Sequence, residues 1–101
     1  MLDQNVFYFI PVINADGSAT VERHWNEKKE ILNKRKNNNP KYKASCMEED
    51  IGTDLNRNYA VDWKPMSDSN HTELCGDYWP GDQAFSEPET RAFRDFVAQR
   101  K

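Results

Sequence analysis

The sequence reads as one strand and one helix, a mixed content of which this chain holds only a part. Two elements and one gap carry that reading. A continuous apolar run, Val6-Phe7-Tyr8-Phe9-Ile10, reads as a strand buried on both faces. An amphipathic segment with a helix-start signal closes the chain. Between them lies a long polar stretch with no sustained period, and such stretches often carry function. One strand and one helix need more sheet to pack on, so the chain is not expected to build a complete core alone.

In chain order, Pro11 lacks a ladder donor and sets the end of the strand near Val12 and Ile13. Asn14-Ala15-Asp16-Gly17 reads as the turn that follows it. Residues 22–37 contain a weak helical pattern anchored only by Trp25, Ile31 and Leu32. Asn37-Asn38-Asn39-Pro40 is loop composition. From Ala44 to Gln83, Gly52, Pro65, Gly76, Pro80 and Gly81 punctuate an irregular region. At the far end Ser86 and Glu89 have capping-box spacing, and Pro88 is tolerated in a first turn. Ala92, Phe93, Phe96 and Val97 make one apolar stripe.

Composition narrows the function classes. A chain of 101 residues is at most one small domain. Hydrophobic residues make up 37% and charged residues 31%, with mean hydropathy -1.01. The net charge of -3 gives no general pull towards nucleic acid. The basic stretch from Lys28 to Lys43 is diluted by Glu27 and Glu30, and reads as a solvated face. The first apolar run is too short for a membrane span or a signal peptide. Cys46 and Cys75 are either free buried thiols or one disulfide, which would stabilise by roughly 3–4 kcal/mol. Asn70-His71-Thr72 is a glycosylation sequon, and with the cysteine pair it points to a secretory compartment.

Most catalytic constellations are missing. His24 and His71 belong to no metal motif, and read as surface or loop residues. Asp50, Asp54, Asn56 and Asn58 lack the glycine and glutamate offsets of a calcium loop. No serine sits in a nucleophile elbow. The informative segment is Gly52-Thr53-Asp54-Leu55-Asn56-Arg57-Asn58-Tyr59. Neutral amide donors beside a guanidinium fork suit a carboxylate. The competing reading is a turn in which Asp54 pairs with Arg57.

Four stretches, in order, resemble the zinc metallocarboxypeptidases of the carboxypeptidase A/B type. Residues 10–17 are similar to the family strand that ends in Asn-Pro-Asp-Gly, with Ala15 in place of proline. Arg35-Lys36-Asn37 resembles an Arg-Lys-Asn motif. Gly52 to Tyr59 resembles Gly-Val-Asp-Leu-Asn-Arg-Asn-aromatic, with Thr53 for valine. Cys75 to Glu89 resembles the segment that runs into Ser-Glu-Pro-Glu and a helix.

The resemblance implies an α/β architecture in which this piece supplies one central strand, a long active-site loop and one packing helix of a mixed sheet. It implies that Arg35 polarises the scissile carbonyl, and that Asn56 and Arg57 hold the substrate's C-terminal carboxylate. An alignment through Trp25 would instead put Asn26 at the catalytic place; Lys36 and Asn37 after Arg35 favour Arg35. The family's paired cysteines flank the Asn-Arg segment, as Cys46 and Cys75 do, so a disulfide is implied. Zinc is the implied cofactor, with its ligands and the general-base glutamate outside residues 1–101. The expectation is therefore a partial peptidase catalytic domain, incomplete at both ends and inert alone. Its expected partners are the remainder of that domain and peptide or protein C-termini, with no nucleic acid and no membrane. The expected location is extracellular or a secretory, lysosomal-type compartment. The alternatives are a non-catalytic carboxypeptidase-like binding module and an unrelated small secreted binding domain.

Overall fold

A computed structural model of the chain describes residues 4–64 and 74–100. The sequon at Asn70 and His71 lies outside these residues. Helix α1 spans Ala15–Lys28 and helix α2 spans Pro88–Ala98. Between them come three single 3-10 turns, at Pro40–Tyr42, Glu48–Asp50 and Leu55–Arg57.

The expected strand is not formed among the described residues. Residues 5–13 carry no regular structure, and Val6 and Phe9 are 76% and 83% exposed. A strand exists only through the ladder it makes with a neighbour, and no described segment offers one. This apolar arm instead brings Tyr8 edge-on to Phe96, with ring centroids 5.4 Å apart. Ile10, Val12 and Ile13 face Pro88, Ala92, Phe93 and Phe96 across an open groove.

Three boundaries also differ from expectation. The stretch Asn14 to Gly17 is the start of α1, not a turn closing a strand. The Asn14 side chain accepts a hydrogen bond from the Gly17 amide at 3.0 Å, so it caps the helix. The helix ends at Lys28, where Lys29 takes a left-handed conformation (φ 57°) and its amide reaches back to the Trp25 carbonyl. The weak pattern placed at residues 22–37 thus starts earlier and stops sooner. In α2 the capping box does not form. Glu87 is the N-cap residue and Pro88 the first helical residue, while Ser86 and Glu89 are drawn into tertiary bonds.

The centre of the molecule is polar. Among the described residues only Tyr42 and Leu55 are buried hydrophobics, whereas Lys36, Asn37, Thr53, Asp54, Asn58, Glu87 and Thr90 are all buried. Buried polar groups are tolerable only when partnered, and here two asparagines do most of the partnering. Asn37 donates through Nδ2 to Glu87 Oε1 (2.8 Å) and Glu89 Oε2 (3.1 Å), and accepts the Thr53 amide at 2.9 Å. Asn58 donates to the Pro80 carbonyl (2.8 Å), the Gln83 carbonyl (3.2 Å) and Ser86 Oγ (2.8 Å). Its Oδ1 accepts from the Glu87 amide (3.2 Å) and the Thr90 hydroxyl (2.6 Å). Two glycines allow this closeness. Gly52 (φ +108°) lies where a Cβ would come 1.9 Å from the Asn37 carbonyl oxygen, and Gly81 (φ +86°) where one would meet Ser86 Oγ at 2.3 Å.

Helix α1 joins this centre through polar contacts as well. Asn14 Nδ2 donates to the Lys36 carbonyl at 3.1 Å, and Asn38 Nδ2 donates to the Asp16 carbonyl at 3.0 Å. A disulfide joins Cys46 to Cys75, with Cα atoms 5.4 Å apart. It ties the segment before the Gly52–Tyr59 motif to the segment after it.

Candidate carboxylate-binding site

The motif centred on Leu55 folds as one tight turn. Asp54 caps it by accepting the Asn56 amide at Oδ1 (3.1 Å), and the Arg57 amide returns to the Asp54 carbonyl at 2.9 Å. Leu55 points inward and is buried, which leaves Asn56 and Arg57 exposed on the outer side. Asn58, next along, is locked in the polar centre. The alternation of anchor and exposed donor is thus built by the turn itself.

Arg35 comes to the same place from a different segment. Its Nε donates to Asp54 Oδ2 at 2.7 Å, and the side chains are 40% and 2% exposed respectively. That carboxylate bond, with the charge of Asp54 behind it, raises the guanidinium pKa above its ordinary value, so Arg35 is a fixed cation. The alternative pairing of Asp54 with Arg57 is not what forms. Arg57 turns instead towards Tyr78, its Cζ lying 5.4 Å from the ring centroid; Arg35 Cζ lies 5.1 Å from the same ring. Arg35, Asp54, Leu55 and Asn56 line an open cleft of about 310 Å³ with Ile13, Asn14 and Tyr59. Asn26, the other position considered for a catalytic residue, is an exposed residue of α1 and does not line this cleft.

Lys36 and Asn37 serve this arrangement from beneath. Lys36 is 1% exposed, and its Nζ donates to the carbonyls of Leu74 (3.2 Å) and Gly76 (3.0 Å), on either side of Cys75. Burial, and secondarily the charge of Lys34, lower its pKa from the ordinary lysine value. Lys34 donates to the Ile51 carbonyl at 2.9 Å, and Lys41 pairs with Asp82. Much of the basic stretch is therefore engaged within the fold.

Sequence reasoning did not single out Tyr78, nor the contact of Lys36 with the disulfide segment. The spacing of an aromatic three residues after Cys75 is too common a pattern to flag the first. The second depends on contacts 38 and 40 residues apart in sequence.

The described residues do not fit a zinc ligand set. No group of three or more His, Cys, Asp or Glu side chains converges among them. The candidate donors are committed elsewhere: Asp54 to Arg35, Glu87 and Glu89 to Asn37, and both cysteines to each other. His24 Nδ1 lies 3.0 Å from the Glu30 carbonyl oxygen. No described helix is long and apolar enough to cross a membrane.

The sequence profile of zinc carboxypeptidases, a family that uses zinc, matches residues 1–101. Mast cell carboxypeptidase A of Homo sapiens is 38% identical over 100 residues, covering 96% of this chain and 20% of that protein. Carboxypeptidase B of Bos taurus is 35% identical, covering 95% of this chain and 20% of that protein. A zinc carboxypeptidase of Simulium vittatum is 34% identical, covering 100% of this chain and 29% of that protein. The chain spans about a fifth of the length of the first of these relatives. It belongs to the zinc carboxypeptidase family.

Proposed function

We propose that this chain supplies the carboxylate-binding and carbonyl-polarising part of a metallocarboxypeptidase that removes C-terminal residues from peptides and proteins. One observation supports it above the rest: Asp54 ties down Arg35 in a cleft that the exposed Asn56 also lines, while the exposed Arg57, outside that lining, lies against the same Tyr78 ring as Arg35. A peptide C-terminus presents a carboxylate and, one residue inward, a carbonyl. Asn56 and Arg57 offer paired donors to the first. Arg35, a fixed cation held at Nε, is aimed at charge developing on the second.

In this reading residues 1–101 are a partial catalytic domain, incomplete at both ends. Zinc, when bound, supplies Lewis-acid and water-activating chemistry. Its ligands and the general base come from the remainder of the domain. The disulfide supports an oxidising location, outside the cell or in a secretory, lysosomal-type compartment.

The test is kinetic, on the complete domain with zinc. Arg35→Ala should lower kcat by roughly 10²–10³-fold, the usual cost of removing one oxyanion donor. Arg57→Ala should chiefly raise KM. C-terminally amidated peptides should not be cleaved, and the 101-residue chain alone should release nothing. Wild-type kinetics in both variants would refute the assignment. Binding of free C-termini by the complete domain without hydrolysis would favour a carboxypeptidase-like binding module.

A further inference from the structure

The geometry points to Tyr78 as a positioning residue, whose ring face holds Arg35 and Arg57 in register for one substrate. This rests on the roles proposed above for the two arginines. Neither arginine is oriented by its own backbone alone. Arg35 arrives from the segment after α1, and Arg57 from the Leu55 turn. What they share is the Tyr78 ring, at 5.1 and 5.4 Å. Two guanidinium groups repel one another, and an aromatic face attracts each. A ring common to both therefore offsets the repulsion and fixes both at once. Asp54 restrains Arg35 at Nε, but Arg57 has no matching ion pair with Asp54, so the ring matters more for Arg57.

The ring can act this way only if its own segment is rigid, and three restraints converge there. The Cys46–Cys75 bond fixes the segment three residues before Tyr78. The buried Lys36 ammonium holds the carbonyls of Leu74 and Gly76. The Asp54 amide donates to the Trp79 carbonyl at 2.8 Å, immediately after Tyr78. Lys36 is the neighbour of Arg35, and Asp54 is its ion-pair partner. The residues that place the arginine thus also place the ring against which it lies. Tyr78 itself is 38% exposed, so the ring borders the site and is not sealed beneath it.

The experiment compares Tyr78→Phe, Tyr78→Leu and Tyr78→Ala in the complete zinc-loaded domain, using a peptide with a free C-terminus. Tyr78→Phe keeps the ring and should stay within about twofold of wild type. Tyr78→Leu keeps bulk but removes the π face, so it should resemble Tyr78→Ala. Losing an exposed cation–π contact weakens each guanidinium's function about two- to fivefold, so kcat/KM should fall about tenfold. The loss should be divided between lower kcat, through Arg35, and higher KM, through Arg57. In an Arg57→Ala background the KM component should vanish while the kcat component remains. Wild-type kinetics in Tyr78→Leu, an equal loss in Tyr78→Phe, or a loss unchanged in both arginine backgrounds overturns the proposal. If Arg35→Ala and Arg57→Ala are themselves silent, the underlying reading fails instead.

Discussion

Replacing Asn58 by alanine is the sharpest test of the polar centre. The change removes contacts to five partners at one buried side chain: two N–H groups shared among three acceptors, and two bonds accepted at Oδ1. The cost depends on what each former partner has left. The Pro80 carbonyl keeps the Trp63 indole at 3.2 Å, and the Gln83 carbonyl keeps the Ser86 amide at 3.2 Å. Ser86 Oγ keeps Glu87 Oε2 at 2.7 Å, and the Thr90 hydroxyl keeps the Glu87 carbonyl at 3.0 Å. The Glu87 amide, at the mouth of α2, loses its Asn58 acceptor and has no such substitute among the described residues. At about 1 kcal/mol per net bond and about 1–3 kcal/mol for one stranded donor, with neighbours that partly compensate, the loss is about 3–5 kcal/mol. That is a large share of the 5–15 kcal/mol available to a typical domain. Urea unfolding of the disulfide-intact protein measures it. With a slope of about 1.5 kcal/mol per molar, the midpoint should fall by about 2–3 M. A fall below about 0.5 M would refute the claim that this side chain organises the centre.

Three further outcomes follow from the same geometry. Thr53 is fully buried and its hydroxyl has no partner among the described residues, so Thr53→Val should raise stability by about 1 kcal/mol; a lower thermal midpoint would contradict this. Reducing the Cys46–Cys75 bond, 29 residues apart in sequence, should cost roughly 3–4 kcal/mol, read as a midpoint shift between oxidised and reduced protein. The third concerns Lys36, whose pKa burial lowers in the folded state. The unfolded chain then binds more protons between the folded value and the ordinary lysine value of 10.5, so this group's contribution to stability rises with pH across that window. Lys36→Met should remove that rise. Melting temperatures of both proteins from pH 8 to 10.5 would show it, and parallel curves would count against it.

What could be read from the sequence was whatever rests on neighbours in the chain. The Asp54–Asn58 turn is local, so its exposed donors were legible from spacing. Asn14 shows the limit of such reading. An Asn side chain bonded to an amide three residues on serves a turn and a helix start equally, and only the residues after Gly17 decide. Ser86 and Glu89 have capping-box spacing, but Ser86 Oγ accepts from Asn58 and Glu89 from Asn37, partners 28 and 52 residues away that no local rule reveals. The ion pair of Arg35 with Asp54 spans 19 residues, and no local rule chooses it over Arg57. The expected strand is not formed among the described residues for the opposite reason. Its apolar run is real, but a ladder needs a second strand, which the described residues do not supply.

The long reach of the asparagine contacts bears on the order in which the site can appear. Asn37 meets Glu87 across 50 residues, and Asn58 meets Thr90 across 32. Contacts so far apart repay the entropy of closing their loops only when several close together. The turn that carries Asn56 and Arg57 can form early. The alignment of Arg35, Asp54 and Tyr78 must wait for the distant segments to meet. A nascent or half-folded chain therefore has the donors but not their geometry, and the grip on a C-terminus proposed above would arrive late, as a property of the closed network.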